Sequence, residues 1–352
     1  MKANELKSTF VPDGEYTDDL VWINVRTAPI SVHGVFFDEA QGQFVRMRQD
    51  VADTTKTMAK DLNRCTAGGR ARFRTDSAYV AMYAVMYNDG GEHSLLLSNH
   101  GFDLSHYDPN FGRETYAYSF YPPNSIKSGF GSGFYTDGKM KDYVLHMPTY
   151  GEVRELYIGV KSSSEVEAPT PYKHEKPIVF YGSSITQGGC ASRPANIYEA
   201  VISRHLDTDY VNLGFSGSCL AEEEVVEHIA GLDMNVFVCD YDHNAPSVEH
   251  LEKTHLPIYR AVRGKHPNVP IVFVTAPNIM PDYTWHIPRR DVIRKTYETA
   301  LSEGDENVYF IDGETFFDIA DRDMCTTDTC HPNDLGMYLM AQKIESVLRD
   351  IL

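Results

Sequence analysis

Four short polar clusters contain the residue types that acyl transfer requires. They contribute Ser184, Gly217, Asn244, and a closely spaced pair, Asp328 and His331. A serine hydroxyl becomes an effective nucleophile when a histidine accepts its proton, and a carboxylate fixes the tautomer of that histidine. A glycine N–H group and an asparagine amide can stabilise the oxyanion of the tetrahedral intermediate. Together these residues predict a serine-dependent acyl-transfer site.

Each of these residues also has an ordinary structural interpretation. Ser184 could cap the helix that follows a strand, and Asn244 could cap another. Gly217 could serve only as a turn glycine, and His331, which precedes Pro332, could be a loop histidine. Asp328 and His331 are three residues apart, so one carboxylate can orient one ring within a turn. That spacing favours the catalytic interpretation.

Three further residues are candidates for substrate contacts. Asp242 and His243 precede Asn244, and Trp285 follows a predicted strand on the side where ligands are expected. Asp242 could instead hydrogen-bond neighbouring loops, and His243 could line the pocket. Cys325 and Cys330 beside His331 resemble a metal cluster, but acyl transfer already accounts for the histidine. We therefore predict no metal and no organic cofactor.

From about residue 178 onward, strand-like and helix-like segments alternate, which is typical of a doubly wound parallel sheet. In such sheets ligands bind at the carboxyl ends of the strands, where the four polar clusters fall. The predicted strands are 178–181, 209–213, 235–239, 269–275 and 308–311. The predicted helices include 196–206, 222–229, 290–301 and 335–348.

The first part of the chain has a different periodicity. Residues 78–87 place Tyr79, Tyr83 and Val85 on one strand face, and further short strands are predicted at 115–121, 143–147 and 155–160. Gly- and Asn-rich breaks such as 88–91 separate them. We predict a β-sandwich or jelly-roll domain over 1–165, a linker over 166–177 and an α/β domain over 178–352.

Composition narrows the class of partner. The chain has 352 residues and a net charge of −18, which disfavours nucleic acid and anionic membrane surfaces. No apolar run approaches the roughly 18 residues of a membrane span. The N-terminus shows no signal core, so a cytoplasmic location is expected unless a signal has been removed. The six cysteines are expected to be free thiols, although Cys325 and Cys330 could pair in an oxidising setting.

The polar clusters resemble the sequence blocks of the SGNH (GDSL-like) hydrolase superfamily. Gly182-Ser183-Ser184-Ile185-Thr186 matches its Gly-Asp-Ser-Ile-Thr block, with Ser183 in place of the aspartate. Asp328 and His331 match its Asp-x-x-His block. The third block, usually Gly-x-Asn-Asp, is here Asp242-His243-Asn244-Ala245, without the glycine and the final acid.

The resemblance assigns a role to each matching residue. It implies a flavodoxin-like sheet in which Ser184 is the nucleophile, His331 the base and Asp328 its orienting acid. It also implies an oxyanion hole formed by Ser184, Gly217 and Asn244.

The N-terminal half resembles the β-sandwich module that precedes some bacterial SGNH domains. The Gly-x-Asp-Leu-Tyr signature of that module is here Gly101-Phe102-Asp103-Leu104-Ser105, with serine in place of tyrosine. Members with such a module are often carbohydrate esterases, which implies hydrolysis of short-chain, acetyl esters on a sugar. The alternatives are a carbohydrate-binding protein with a decayed hydrolase domain, and a lipase or thioesterase of the same superfamily.

Overall fold

The chain forms two compact units, each assembled from separate stretches of sequence. The computed structural model describes residues 1–6, 10, 12, 14, 16–17, 19–88, 95–279, 283–318 and 320–352. Unit 1 contains Met1–Arg46, Arg64–Tyr172 and Arg193–Ala195. Unit 2 contains Met47–Asn63, Lys173–Ser192 and Asn196–Leu352.

Unit 1 is an antiparallel β-structure. Its strands are β1 Leu20–Asn24, β2 Ser31–His33, β3 Phe36–Asp38, β4 Gln43–Val45, β5 Arg70–Thr75, β6 Tyr79–Met86, β7 Phe102–Asp108, β8 Arg113–Phe120, β9 Phe130–Tyr135, β10 Lys141–His146, β11 Val153–Lys161 and β12 Val166–Glu167. One sheet has the order β1-β11-β6-β9. The other large sheet has the order β12-β5-β10-β7-β8, with β2 also paired to β5, and β3 pairs with β4 in a separate two-stranded sheet. The predicted all-β N-terminal domain is confirmed, while the predicted turn at 88–91 lies mostly outside the described residues.

The two sheets share one apolar core because their strands alternate inward and outward side chains. On β6, Val80, Met82 and Ala84 are buried in the core common to both sheets. Tyr79 and Tyr83 point to the opposite face of β6, where they pack with Trp22 and Tyr157. This is the tyrosine face that the sequence pattern predicts.

The aspartate of the predicted module signature anchors a short segment of distant sequence within unit 1. Asp103 is fully buried and forms an ion pair with the Arg193 guanidinium. Its other carboxylate oxygen accepts a hydrogen bond from the Ala195 N–H at 3.1 Å. The Arg193 guanidinium also lies 4.6 Å from the centre of the Tyr116 ring. Asp103 is thus the reason that Arg193–Ala195 clusters with unit 1.

The segment predicted as a linker is largely fixed in unit 1. Strand β12 pairs with β5, and the Thr170 N–H donates to Asp142 at 2.7 Å. The Arg72 guanidinium lies 3.6 Å from the centre of the Tyr172 ring. The first strand of unit 2 already begins at His174. A free linker over 166–177 is therefore not present in the structure.

Unit 2 contains a five-stranded parallel sheet within the described part of the chain. Its strands are β13 His174–Gly182, β14 Thr208–Gly214, β15 Val236–Asp240, β16 Ile271–Val274 and β17 Val308–Ile311. The order β14-β13-β15-β16-β17 is the flavodoxin-like order, which confirms the predicted α/β class. The α-helices of both units are α1 Gln49–Ala52, α2 Ala59–Leu62, α3 Leu96–His100, α4 Ser184–Gln187, α5 Tyr198–Leu206, α6 Glu223–Gly231, α7 Val248–Lys265, α8 Ile287–Ser302 and α9 Asp334–Ile351.

Helices cover both faces of this sheet, so its strands are apolar on both sides. On β13, Val179 packs with the cluster that includes residues of α6, α7 and α8, whereas Phe180 packs with residues of α5 and α9. None of the helices in the described residues is long and apolar enough to cross a membrane.

One part of the unit 2 core comes from the N-terminal half of the sequence. Met47, Ala52 and Ala59 are fully buried in the same cluster as residues of α6. The predicted boundaries of 1–165 and 178–352 place residues 47–63 in the first domain, whereas the structure places them in unit 2. The reason is physical: α1 and α2 have four residues each and are too short to show a helical periodicity.

Candidate functional site

Two adjacent serines follow β13 and have different roles in the structure. The Ser183 hydroxyl caps α4 by accepting a hydrogen bond from the Ile185 N–H at 3.2 Å. The Ser184 hydroxyl oxygen lies 2.8 Å from His331 Nε2. A Cβ on Gly182 would approach the Thr186 hydroxyl to 2.0 Å, so glycine permits this tight turn from strand to helix. The capping interpretation raised for Ser184 therefore applies to its neighbour.

Asp328 shapes the loop that holds His331. Its Oδ1 accepts hydrogen bonds from the Cys330 N–H at 2.9 Å and from the His331 N–H at 2.7 Å. The Thr326 hydroxyl closes the loop by donating to the His331 carbonyl at 2.8 Å. These contacts fix the backbone of His331 within the loop.

The same carboxylate also contacts the His331 ring. Asp328 Oδ2 lies 2.7 Å from His331 Nδ1. Partial burial raises the pKa of Asp328, but the hydrogen bonds from the His331 N–H, the His331 ring and the Cys330 N–H outweigh it, and the net pKa is lowered. An ionised Asp328 favours the tautomer with the proton on Nδ1, which leaves Nε2 able to accept the proton of Ser184. The structure thus brings the three predicted triad residues into one hydrogen-bonded chain.

The predicted oxyanion residues lie on the loops that follow β14 and β15. Gly217 has a φ of +65°, a left-handed conformation that glycine adopts without strain. The Asn244 Oδ1 accepts a hydrogen bond from the Cys219 N–H at 3.4 Å. This contact links the two loops and leaves the Asn244 amide N–H₂ group as a donor for a ligand. The participation of Gly217, Asn244 and the Ser184 N–H in an oxyanion hole stays a prediction.

Asp242 connects two loops of the site. It is fully buried, and its Oδ2 accepts a hydrogen bond from the Ala276 N–H at 2.9 Å. Burial raises its pKa to about 6, although the Ala276 N–H and Arg289 act in the opposite direction. Its Oδ1 has no hydrogen-bond partner among the described residues. This is the loop-connecting role weighed for Asp242 from the sequence.

His243 and Trp285 belong to an aromatic and cationic wall that includes two residues the sequence analysis missed. The His243 ring stacks with His286 at a centroid distance of 5.6 Å, and Trp285 lies 6.2 Å from His243. The Arg289 guanidinium lies 3.6 Å from the centre of the Trp285 ring. Trp285 is 41% exposed, whereas Arg289 is only 4% exposed. Trp285 lies just before α8 and Arg289 in its first turn, and this spacing of four residues is the signal that could have identified the pair.

The two histidines of this wall are neutral near neutral pH. Burial, together with the nearby His331 and Arg289, lowers the pKa of His243 to about 4. Burial, His243 and Arg289 lower the pKa of His286 to about 4 as well. The His243 Nε2 contacts Cys330 Sγ at 3.2 Å, which connects the wall to the loop of Asp328 and His331.

A second polar cluster lies deeper in unit 2, where the side chains are fully buried. Thr186 donates a hydrogen bond from its hydroxyl to Asp240 at 3.2 Å, and its oxygen lies 3.0 Å from the Tyr198 hydroxyl. Asn212 donates to Glu199 at 3.2 Å. Burial raises the pKa of Asp240 to about 8, with Asp242 adding to the effect, and burial raises the pKa of Glu199 well above its usual range. We call Asp240 and Glu199 the buried carboxyl pair.

Two family models match separate parts of the chain. Residues 175–349 match the GDSL-like Lipase/Acylhydrolase family, and residues 20–166 match the GxDLY model, described as the N-terminus of Esterase_SGNH_hydro-type. No curated protein matches the sequence significantly.

Solved structures match nearly the whole chain. A GDSL-like lipase from Bacteroides ovatus is 26% identical, with 94% of this chain and 98% of that chain covered and a TM-score of 0.83. A salicylyl-acyltransferase, SsfX3, from a tetracycline biosynthetic pathway is 17% identical, with 96% and 99% covered and a TM-score of 0.75. A family two carbohydrate esterase from Clostridium thermocellum, in complex with cellohexaose, is 15% identical, with 91% and 98% covered and a TM-score of 0.62.

The two model matches follow the two architectures in chain order, with the antiparallel half first and the parallel sheet second. The serine turn and the Asp-x-x-His loop both fall within the GDSL-like match over residues 175–349. The chain belongs to the SGNH (GDSL-like) hydrolases and has an N-terminal module of the GxDLY type.

Proposed function

We propose that the chain is a serine esterase that removes short acyl groups, chiefly acetyl, from a carbohydrate. The observation that carries the proposal is the continuous chain of contacts from Ser184 through His331 to Asp328, at 2.8 Å and 2.7 Å. A decayed hydrolase domain would have no physical reason to retain this geometry. The contacts therefore favour an active enzyme over a protein that only binds carbohydrate.

The reaction proceeds in two stages. Ser184 Oγ attacks the ester carbonyl while His331 Nε2 accepts its proton, and Asp328 stabilises the imidazolium that forms. The Ser184 and Gly217 N–H groups and the Asn244 amide donate to the oxyanion. His331 then protonates the leaving alcohol. Water, activated by the same histidine, hydrolyses the acyl-enzyme and releases the acid.

Two neutral histidines and one exposed aromatic ring in the site wall support an uncharged sugar substrate. His243 and His286 are uncharged near neutral pH, and Trp285 presents a partly exposed ring that can stack on the apolar face of a sugar. The fold is shared with carbohydrate esterases, including one in complex with cellohexaose. We infer that an oligosaccharide carrying acetyl esters is the substrate class.

The decisive experiment is mass spectrometry of a panel of acetylated oligosaccharides after incubation with the protein. We expect losses of single acetyl groups with the native chain and none with Ser184→Ala. A matched control is Ser183→Ala, which removes only the cap of α4 and should leave the losses in place. An active Ser184→Ala variant, or an inactive and folded Ser183→Ala variant, would contradict the assignment. Transfer of the acetyl group to an added alcohol, without release of acetate, would identify an acyltransferase instead.

A further inference from the structure

A half-buried cysteine lies beside the predicted triad and has no role in the proposed reaction. One potential ligand atom from each of Cys190, Asp328 and His331 lies within 4.8 Å of the other two. Cys190 belongs to the segment that follows α4, while Asp328 and His331 lie on a loop distant in sequence. The three residues therefore converge through the fold of unit 2 and not through a sequence motif.

The backbone holds Cys190 at this position. Gly188 ends α4 with a φ of +100°, and the Gly189 N–H donates to the Ser184 carbonyl at 2.8 Å, so the chain folds back over its own first turn. Cys190 itself has a backbone φ of +67°, which residues other than glycine rarely adopt. Two residues further on, the Ser192 N–H donates to Asp334 at 2.7 Å, next to the loop of His331.

A thiolate, an imidazole and a carboxylate together form a ligand set suited to Zn²⁺, whereas Mg²⁺ and Ca²⁺ prefer oxygen ligands alone. Ligand atoms around a tetrahedral zinc lie about 3.5 Å apart, so small side-chain rotations would bring these atoms to the required separation. Water would complete the coordination.

We propose that Cys190, Asp328 and His331 form a binding site for a soft divalent cation such as Zn²⁺, and that its occupancy switches the enzyme off. Binding forms a metal–sulfur bond, and the Cys190 thiol releases its proton to solvent with no change in oxidation state.

Inhibition follows from the contacts of His331. Its Nε2 contacts Ser184 and its Nδ1 contacts Asp328, so both ring nitrogens already have partners. A cation that binds either nitrogen must break one of the two contacts that proton transfer requires. Only this inhibitory consequence depends on the proposed esterase function.

The binding site can be tested without an activity assay. We would titrate the full, metal-free chain with Cd²⁺ and record the thiolate-to-cadmium charge-transfer absorption. The wild type should saturate at one Cd²⁺ per chain, Cys190→Ser should lose the band, and Cys330→Ser should keep it. Cys330 is the matched control because it is also half-buried and lies next to His331 in sequence. A missing band in the wild type, or a band that depends on Cys330 and not on Cys190, would overturn the proposal.

The switch is tested by the zinc dependence of p-nitrophenyl acetate hydrolysis. Zn²⁺ should inhibit reversibly, and a chelator should restore the rate. Loss of an outer-sphere partner already costs about 10- to 100-fold in metal affinity, so Cys190→Ser should require at least about tenfold more zinc for half-inhibition. Equal zinc sensitivity of the two proteins would overturn the regulatory role. If no ester is hydrolysed at all, the cadmium titration still decides whether the site exists.

Discussion

Unit 2 contains two sets of carboxyl groups with opposite ionisation. Asp328 has a side chain that is 43% exposed, receives N–H donors from its own loop and has a lowered pKa. The buried carboxyl pair, Asp240 and Glu199, has raised pKa values because burial disfavours the charged form and no positively charged side chain among the described residues offsets that cost. The comparison shows that N–H donors and access of water favour the ionised form of Asp328 beside His331, whereas burial favours the protonated form of Asp240 and Glu199.

The largest expected effect comes from removing the Ser184 hydroxyl, which contacts His331 and through it Asp328. Ser184→Ala should lower kcat by about 10⁴- to 10⁶-fold, because the remaining groups can no longer form an acyl-enzyme. The measurement is steady-state hydrolysis of p-nitrophenyl acetate, with circular dichroism to verify folding. A folded variant with more than a few per cent of the native rate would remove Ser184 from the mechanism.

The difference between the ionised Asp328 and the buried carboxyl pair is tested most directly by a substitution of Asp328. Asp328→Asn should lower kcat by about 10⁴-fold, because an amide can stabilise the wrong tautomer of His331 and does not neutralise the imidazolium. The KM for p-nitrophenyl acetate should change much less than kcat. A loss of less than tenfold would indicate that the loop hydrogen bonds alone are sufficient to orient His331.

A smaller effect is expected at the proposed oxyanion donor. Asn244→Ala should lower kcat by roughly 10²- to 10³-fold, the usual loss for one such donor. Asn244→Asp is the informative control, since its carboxylate can still accept the Cys219 N–H but cannot donate to an oxyanion. Recovery of activity by the aspartate would show that Asn244 only connects the loops.

The smallest effect on kcat is expected from a substitution in the buried carboxyl pair. Asp240→Asn should change kcat less than about tenfold near neutral pH, because Asp240 is already protonated there and asparagine has a similar shape. A loss comparable with that of Asp328→Asn would invalidate the contrast between the two sets.

The same variant should change how stability depends on pH. The native state keeps the Asp240 proton up to about pH 8, whereas the unfolded state releases it near 3.8, so stability decreases as pH rises between these values. Urea unfolding at pH 5 and pH 8 should show that Asp240→Asn gains stability relative to the wild type at the higher pH. Asp328→Asn should behave in the opposite way, because the lowered pKa of Asp328 stabilises the native state above about pH 4 and this contribution is lost in acid. Unfolding compared between pH 5 and about pH 3 should therefore show that the wild type loses stability relative to Asp328→Asn as the pH falls. Parallel pH profiles for Asp240→Asn and wild type would contradict the assignment of a neutral Asp240.

Much of unit 2 was predictable because its signals are local. The helix predicted at 335–348 is observed as Asp334–Ile351, and the strand predicted at 308–311 is observed at the same residues. Asp328 and His331 are also close in sequence, so their contact required only a turn. The jelly-roll connectivity of unit 1 and the functional roles of the site residues stay predictions.

The features that escaped prediction depend on distant contacts. Arg289 appears in sequence as an ordinary helix cation, yet it is buried against Trp285 and donates to the Ala245 carbonyl at 2.9 Å. Cys190 reaches Asp328 only because the chain reverses after α4. Cys190 carries no periodic pattern, and the contact of Arg289 with Ala245 depends on a neighbour 44 residues away in sequence.

Residues 47–63 lie in the N-terminal half of the sequence but belong to unit 2, and this limits where the gene can be recombined. A genetic crossover at codon 173 would transmit every strand of the parallel sheet but not Met47, Ala52 and Ala59, which are fully buried in unit 2. The encoded fragment would have an unfilled apolar surface beside α6, so it would aggregate or be degraded. Chimeras between relatives should therefore transfer 47–63 together with the C-terminal half, and a gene that acquires the hydrolase alone must first evolve a substitute for that segment.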